Sequence, residues 1–111
     1  MITLNGVSER FTHLSFPLST SQPVMIGRGS KADFRVRHYS VSRKHAVVQM
    51  IGERWFIREL GSKNGTFVDG HHVNDFRMIE PGDDIRIGAV QFEIREERGV
   101  DYVDELLNIA A

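Results

Sequence analysis

The sequence contains no cysteine. That excludes a disulfide scaffold, a thiolate-ligated zinc site and a thiol nucleophile, and it fits a reducing compartment. Long apolar runs are missing too: none approaches the roughly 18 residues needed to span a membrane. The opening MITLNGVSER has neither the basic flank nor the apolar centre of a signal peptide. A cytoplasmic domain without membrane contact is the expectation. A net charge of only −1 speaks against a general nucleic-acid binder, and no aromatic stacking platform is interleaved with the basic residues. His71 and His72 make a poor metal pair, because adjacent strand residues point to opposite faces and no acidic or Cys companions stand at suitable spacing. No metal and no cofactor are expected.

What is present is ordinary in amount and distinctive in order. With 111 residues, 41% hydrophobic and 26% charged, the chain makes one globular domain with a real core. Short runs rich in Val, Ile, Phe and Trp alternate with polar residues between Gly, Asp, Asn and Ser. Strands are expected over 1–5, 11–18, 24–27, 33–36, 45–51, 55–59, 66–68, 71–73, 84–87 and 90–95. Trp55, Ile57 and Glu59 share one face of such a strand, and Phe56 and Arg58 take the other. Asp69-Gly70 signals a tight hairpin, and Pro81-Gly82-Asp83 a turn before a strand. The fold class is all-β, an antiparallel sandwich of about 10–11 short strands. Only the end of the chain departs from this: Val100, Val103, Leu106 and Leu107 recur at helical spacing, so a short amphipathic helix or tail is expected there. Residues 1–96 are taken as the domain and 97–111 as an acidic tail, a possible linker start.

Charge is unevenly spread. Arg28, Lys31, Arg35, Arg37, Arg43 and Lys44 face a single acid, Asp33, within 28–45, whereas 93–111 holds six acids and two cations. A cationic stretch on a near-neutral protein points to a compact anion, although ordinary solvated faces would look the same. The polar clusters fall at strand ends, where a sandwich gathers its loops. Arg28 and Arg43 offer forked guanidinium donors, Ser42 and Ser62 hydroxyls, Lys63 an ammonium, and Asn64 a donor and an acceptor on one amide. That set suits a phosphate dianion beside a peptide backbone. Ser42 and His45 do not read as nucleophile and base, since no GxSxG elbow surrounds the serine. An enzyme is not expected.

Gly27-Arg28, then Ser42-Arg43-Lys44-His45, then Asn64-Gly65-Thr66, in that order, closely resemble the signature of forkhead-associated (FHA) domains, which bind phosphothreonine peptides. The likeness runs over about residues 2–95. It implies that Arg28 and Ser42 contact the phosphate, with Arg43 as a second phosphate or backbone contact, and that Asn64 holds the peptide main chain. Lys63 stands where family members commonly carry a Thr, so an ammonium would replace that hydroxyl. Gly27, His45, Gly65 and Thr66 are implied as structural residues of the site. The function so implied is phosphothreonine-dependent protein–protein interaction in signalling, by a domain monomeric in isolation. The alternative is a phosphate-independent scaffold or oligomerisation domain of the same fold.

Overall fold

Short apolar–polar alternation broken by turn formers yields strands, and the computed structural model, which describes residues 1–97, contains eleven. They are β1 (Ile2–Gly6), β2 (Ser15–Pro17), β3 (Val24–Gly27), β4 (Phe34–Arg35), β5 (Ala46–Ile51), β6 (Arg54–Glu59), β7 (Thr66–Val68), β8 (His71–His72), β9 (Phe76–Ile79), β10 (Asp84–Ile87) and β11 (Val90–Glu96). One sheet runs β2-β1-β11-β10-β7-β8 and the other β4-β3-β5-β6-β9. Their inner faces close on one core. Leu4, Ile85, Ile87 and Phe92 from the first sheet and Ile26, Val48 and Ile57 from the second are wholly buried. Each such side chain contributes about 1.5–3 kcal/mol on burial. In β6 the expected alternation holds, with Trp55 and Ile57 inward and Arg54 and Arg58 exposed. Asp69 and Gly70 turn the β7–β8 hairpin with φ of 49° and 79°, a left-handed pair that Asp and Gly tolerate. Among the described residues no helix is long and apolar enough to cross a membrane.

The all-β sandwich forms as expected, with three departures in detail. β4 lies parallel to β3, with Ile26 opposite Phe34 and Gly27 opposite Arg35, so the second sheet is mixed. Burial of Phe34 fixes that edge: its ring stacks on Phe16 at 5.0 Å and meets Phe92 edge-on at 5.5 Å. The strand expected over 11–18 shrinks to β2, because 8–14 folds into turns closed by Phe11 N to Ser8 O and Leu14 N to Phe11 O. β9 was not expected at all. It is an edge strand whose burial reverses the usual pattern, Phe76 and Met78 being exposed and only Ile79 buried, so no clean alternation marks it. The helix expected over 100–110, and the acidic tail beyond Glu97, lie outside the described residues.

Strand pairing places the polar loops together. Ile26 pairs with Ala46, and Ala46 with Glu59, so β3 ends where β5 begins and β6 ends. Across the sandwich Gly88 N donates to Gly65 O at 3.0 Å, which brings the β10–β11 turn to the same end.

Candidate functional site

The loop after β3 is bonded to the loop before β5 by main-chain contacts. Arg28 N donates to Ser42 O at 3.0 Å and Gly29 N to Arg43 O at 3.1 Å. The approach leaves room only for hydrogen at Gly27, where a Cβ would lie 2.0 Å from Arg43 O. Arg28, Ser42 and Asn64 therefore start from fixed backbones, and each spends one bond on the scaffold. Arg28 Nε donates to Val41 O at 3.0 Å, which leaves both terminal guanidinium nitrogens free. Ser42 Oγ accepts Lys63 N at 3.0 Å, which leaves its O–H to donate outward. Asn64 Nδ2 donates to Ser40 O at 2.8 Å, which leaves its carbonyl and second N–H available. The unspent groups are a cationic fork, a hydroxyl donor and an amide edge. Such a set is prepared for a tetrahedral anion on an extended chain.

Beneath these groups lies a layer that holds the loops. His45 is completely buried. Its Nδ1 accepts the main-chain N–H of Ser42 at 3.0 Å, so Nε2 carries the proton and donates to Gly65 O at 2.8 Å. One neutral ring thus ties the β4–β5 loop to the β6–β7 loop. Burial pushes its pKa below the ordinary value, against the smaller opposing pulls of the Gly65 carbonyl and the Glu59 charge. Because the ring meets the backbone of Ser42 and not Oγ, it does not activate that hydroxyl. Gly65 holds φ at +88°, and a Cβ there would crowd Phe67 and His72 at 3.0–3.1 Å.

Glu59 is the residue that sequence reading passed over. Its carboxylate accepts Gly61 N at 2.6 Å and Ser62 N at 2.8 Å on one oxygen, and Ser62 Oγ and Thr66 Oγ1 on the other. It closes the 60–65 loop as a cap, and Thr66, fully buried, serves it. The available signal was a carboxylate on the inward face already occupied by Trp55 and Ile57. Burial alone would raise its pKa, but the bonds from Ser62, Thr66 and Gly61 outweigh burial and hold it below the ordinary 4.5. Its contribution to stability is therefore complete above pH 4.5 and is lost as pH falls through 4.5 towards the folded-state value. Glu59→Gln should cost about 2 kcal/mol at neutral pH, the scale of charge-assisted bonds. The deficit relative to the parent should narrow below pH 4.5 in urea titrations run across a pH series. A deficit independent of pH would exclude the carboxylate cap.

Ser40 was also missed. Its Oγ accepts Ala89 N at 2.9 Å and bonds His38 Nδ1 at 2.7 Å, while its carbonyl holds Asn64. Of the residues expected at the site, Arg28, Ser42, Asn64, Gly27, His45, Gly65 and Thr66 are joined in this one network. Arg43 and Lys63 belong to it through their main chains only. Among the described residues their exposed side chains make no hydrogen bond or ion pair.

Residues 24–88 match the family model of the FHA domain, and this stretch is more than half of the chain. The chain belongs to the FHA domain family. FhaB, an FHA domain-containing protein of Mycobacterium tuberculosis, is 34% identical over 76 residues, which cover 68% of this chain and 49% of FhaB. The chain thus spans about half the length of that relative. The FHA domain of FhaA, solved in complex with the intracellular domain of Rv3910, superposes with a TM-score of 0.76 at 29% identity, covering 86% of this chain and 100% of that one. Mycobacterium tuberculosis EmbR, solved with a low-affinity phosphopeptide, gives a TM-score of 0.78 at 27% identity over 89% of this chain and 25% of EmbR. In this FHA domain the whole loop network falls inside the matched stretch, apart from Ala89.

Proposed function

We propose that this FHA domain is a phosphothreonine-dependent interaction module that binds phosphorylated segments of other proteins in signalling. The observation that carries the reading is the set of unspent valences on Arg28, Ser42 and Asn64, each anchored by one bond and open on its other side. A phosphoryl group brings about −1.5 to −2 charges and three acceptor oxygens. Arg28 and Ser42 take the phosphate, Arg43 and Lys63 add mobile charge, and Asn64 holds the peptide backbone. The relatives solved with a phosphopeptide or an intracellular domain support the same reading. Threonine over serine is the preference expected from the family.

The test is calorimetry with a phosphothreonine peptide, its phosphoserine counterpart and its unphosphorylated form. Only the phosphorylated forms should bind, with threonine ahead. Arg28→Ala removes one forked charge-assisted contact, about 1.5–3 kcal/mol, and should weaken binding ten- to hundredfold. The melting temperature should change little, since the Arg28 side chain is exposed and among the described residues gives the fold only its bond to Val41 O. Unaltered affinity in Arg28→Ala would discard the reading, and equal affinity for the unphosphorylated peptide would favour the phosphate-independent scaffold.

A further inference from the structure

The outer face of the second sheet carries apolar side chains that the core does not use. Strand register sets Phe56 opposite Gln49 on β5 and Met78 on β9, and Arg58 opposite Phe76, so these side chains share that face. Ile51, opposite Arg54, joins them. Phe76, Ile51 and Met78 are 61%, 56% and 44% exposed. Single exposed apolar residues are ordinary, but three on one face make a patch. Phe56 meets Phe76 edge-on at 6.1 Å, and beside the pair a recess of about 280 Å³ is lined by Gln49, Ile51, Phe56, Arg58 and Phe76. The patch borders β9, whose outer side pairs with no strand among the described residues. Edge strands are commonly guarded by charge, by Pro or by a covering segment, and of those guards β9 carries Arg77 alone.

Charge decides what kind of segment fits there. Arg54 and Arg58 are exposed on this face, and among the described residues the ion pairs are His45 with Glu59 and Arg95 with Glu93, so neither arginine meets a carboxylate. A second copy docking by the same face across a two-fold axis would set these arginines against their own counterparts. An acidic amphipathic segment meets no such conflict, and the chain supplies one. Val100, Val103, Leu106 and Leu107 make one stripe at helical spacing, and Asp101, Asp104 and Glu105 fall together on one flank of it. The segment also leaves from the right end of the sandwich. Near the end of β11, Gly82 N donates to Ile94 O at 2.8 Å and Ile94 N to Asp83 O at 3.0 Å, which sets the exit beside the turn that follows β9. The 14 residues after Glu97 reach about 46 Å when extended, and a helix over 100–110 is about 16 Å long, against about 13 Å for the 4 residues of β9. So short a helix is marginal alone in water and needs a surface. We propose that residues 100–110 fold back as an amphipathic helix onto the outer face of β5, β6 and β9, with the stripe on Phe56, Phe76 and Met78 and the acids towards Arg54 and Arg58. The inference is independent of the phosphopeptide reading.

The experiment uses the full chain and its lack of cysteine. Ala111→Cys introduces a single thiol, and a nitroxide attached to it broadens the amide signals of residues close by. Amides of β6 and β9 should lose most of their intensity, while those of β1 and β2, in the other sheet, keep theirs. Leu106→Asp/Leu107→Asp should restore the lost intensity, and so should Phe76→Ser/Met78→Ser on the receiving face. Arg54→Glu/Arg58→Glu should lower the docked-to-free ratio about fivefold, the scale of two exposed ion pairs, and adding Asp101→Lys/Asp104→Lys/Glu105→Lys should recover it. Broadening confined to another face, spread evenly over the domain, or insensitive to Leu106→Asp/Leu107→Asp would overturn the proposal. In a mixture of spin-labelled, isotopically silent chains with isotope-enriched chains that lack the label, signals should stay sharp. Broadening in that mixture assigns the segment to a second copy and overturns docking within one chain.

Discussion

Gly27→Ala should lower the melting temperature by more than about 10 °C and abolish peptide binding with it. A Cβ at this position would sit 2.0 Å from Arg43 O and 2.8 Å from Arg43 C, both main-chain atoms. Neither can swing away as a side chain would. The two segments are held by Arg28 N to Ser42 O, Gly29 N to Arg43 O and His45 N to Ile26 O, so relief of the clash breaks some of these bonds. Overpacking costs about 1–3 kcal/mol where side chains absorb it, and a rigid backbone contact belongs at the top of that range or above. In a domain of this size about 3 kcal/mol corresponds to a shift of roughly 12 °C or more. Binding fails for a connected reason, since the same main-chain contact sets Arg28 beside Ser42. Gly52→Ala supplies the contrast. Gly52 has a φ of +64° but open space around it, so only the left-handed penalty applies, about 1–2 kcal/mol, with affinity preserved. Thermal melts and calorimetry on the two variants separate sterics from backbone preference. A Gly27→Ala domain that melts with the Gly52→Ala domain and binds normally would refute the close-contact account.

The contrast between these glycines shows what the sequence carried and what it did not. Gly27-Arg28, Ser42-Arg43-Lys44-His45 and Asn64-Gly65-Thr66 were legible because each motif pairs a backbone requirement with a functional group inside a few residues. Strands such as β6 and β10 were legible because buried Trp55 and Ile57, and Ile85 and Ile87, alternate with Arg54 and Arg58, and with Asp84 and Arg86. β9 was not, because an exposed edge strand carries Phe76 and Met78 on its outward side, and local periodicity cannot register which face has a neighbour. The parallel place of β4 was hidden for a related reason. It follows from where Phe34 finds Phe16 and Phe92, a long-range aromatic contact absent from any short window. Glu59 and Ser40 were overlooked as site residues because their partners are backbone amides and carbonyls, which have no sequence identity. Glu59 at an inward position was nevertheless a visible anomaly. A buried carboxylate demands donors, and the Gly61-Ser62 that follows supplies them. Arg35 and Arg37 were legible as members of the cationic stretch 28–45, but their place around one recess with Arg28 came only with the fold.

His45→Ala tests the layer beneath the site and should reduce stability and affinity together. The ring is wholly buried and bridges Ser42 N to Gly65 O. Its removal leaves the Ser42 N–H unpaired, about 1–3 kcal/mol where water cannot reach it, takes one of two donors from Gly65 O, which keeps Gly88 N, and opens a cavity besides. A total of about 3 kcal/mol is expected, with phosphopeptide affinity falling at least tenfold as Ser42 and the 60–65 loop lose their common anchor. Ser42→Ala should behave differently. The bond it loses, from Lys63 N, lies exposed to water, so affinity drops while the melting temperature stays near the parent's. A purely packing role for His45 would give the same stability loss, so pH supplies the second readout. The folded-state pKa lies below the ordinary 6.5, which means the unfolded chain takes up a proton that the folded ring refuses. The contribution of His45 is therefore complete above pH 6.5 and declines as pH falls from there towards the folded value. Within that window the slope cannot exceed about 1.4 kcal/mol per pH unit for a single proton. The parent should lose stability on acidification below pH 6.5, ahead of the Glu59 limb that begins at 4.5. His45→Ala should lack the first limb and retain the second. If its stability instead tracks the parent's pH curve with a constant offset, the buried neutral ring is not the clamp between the two loops.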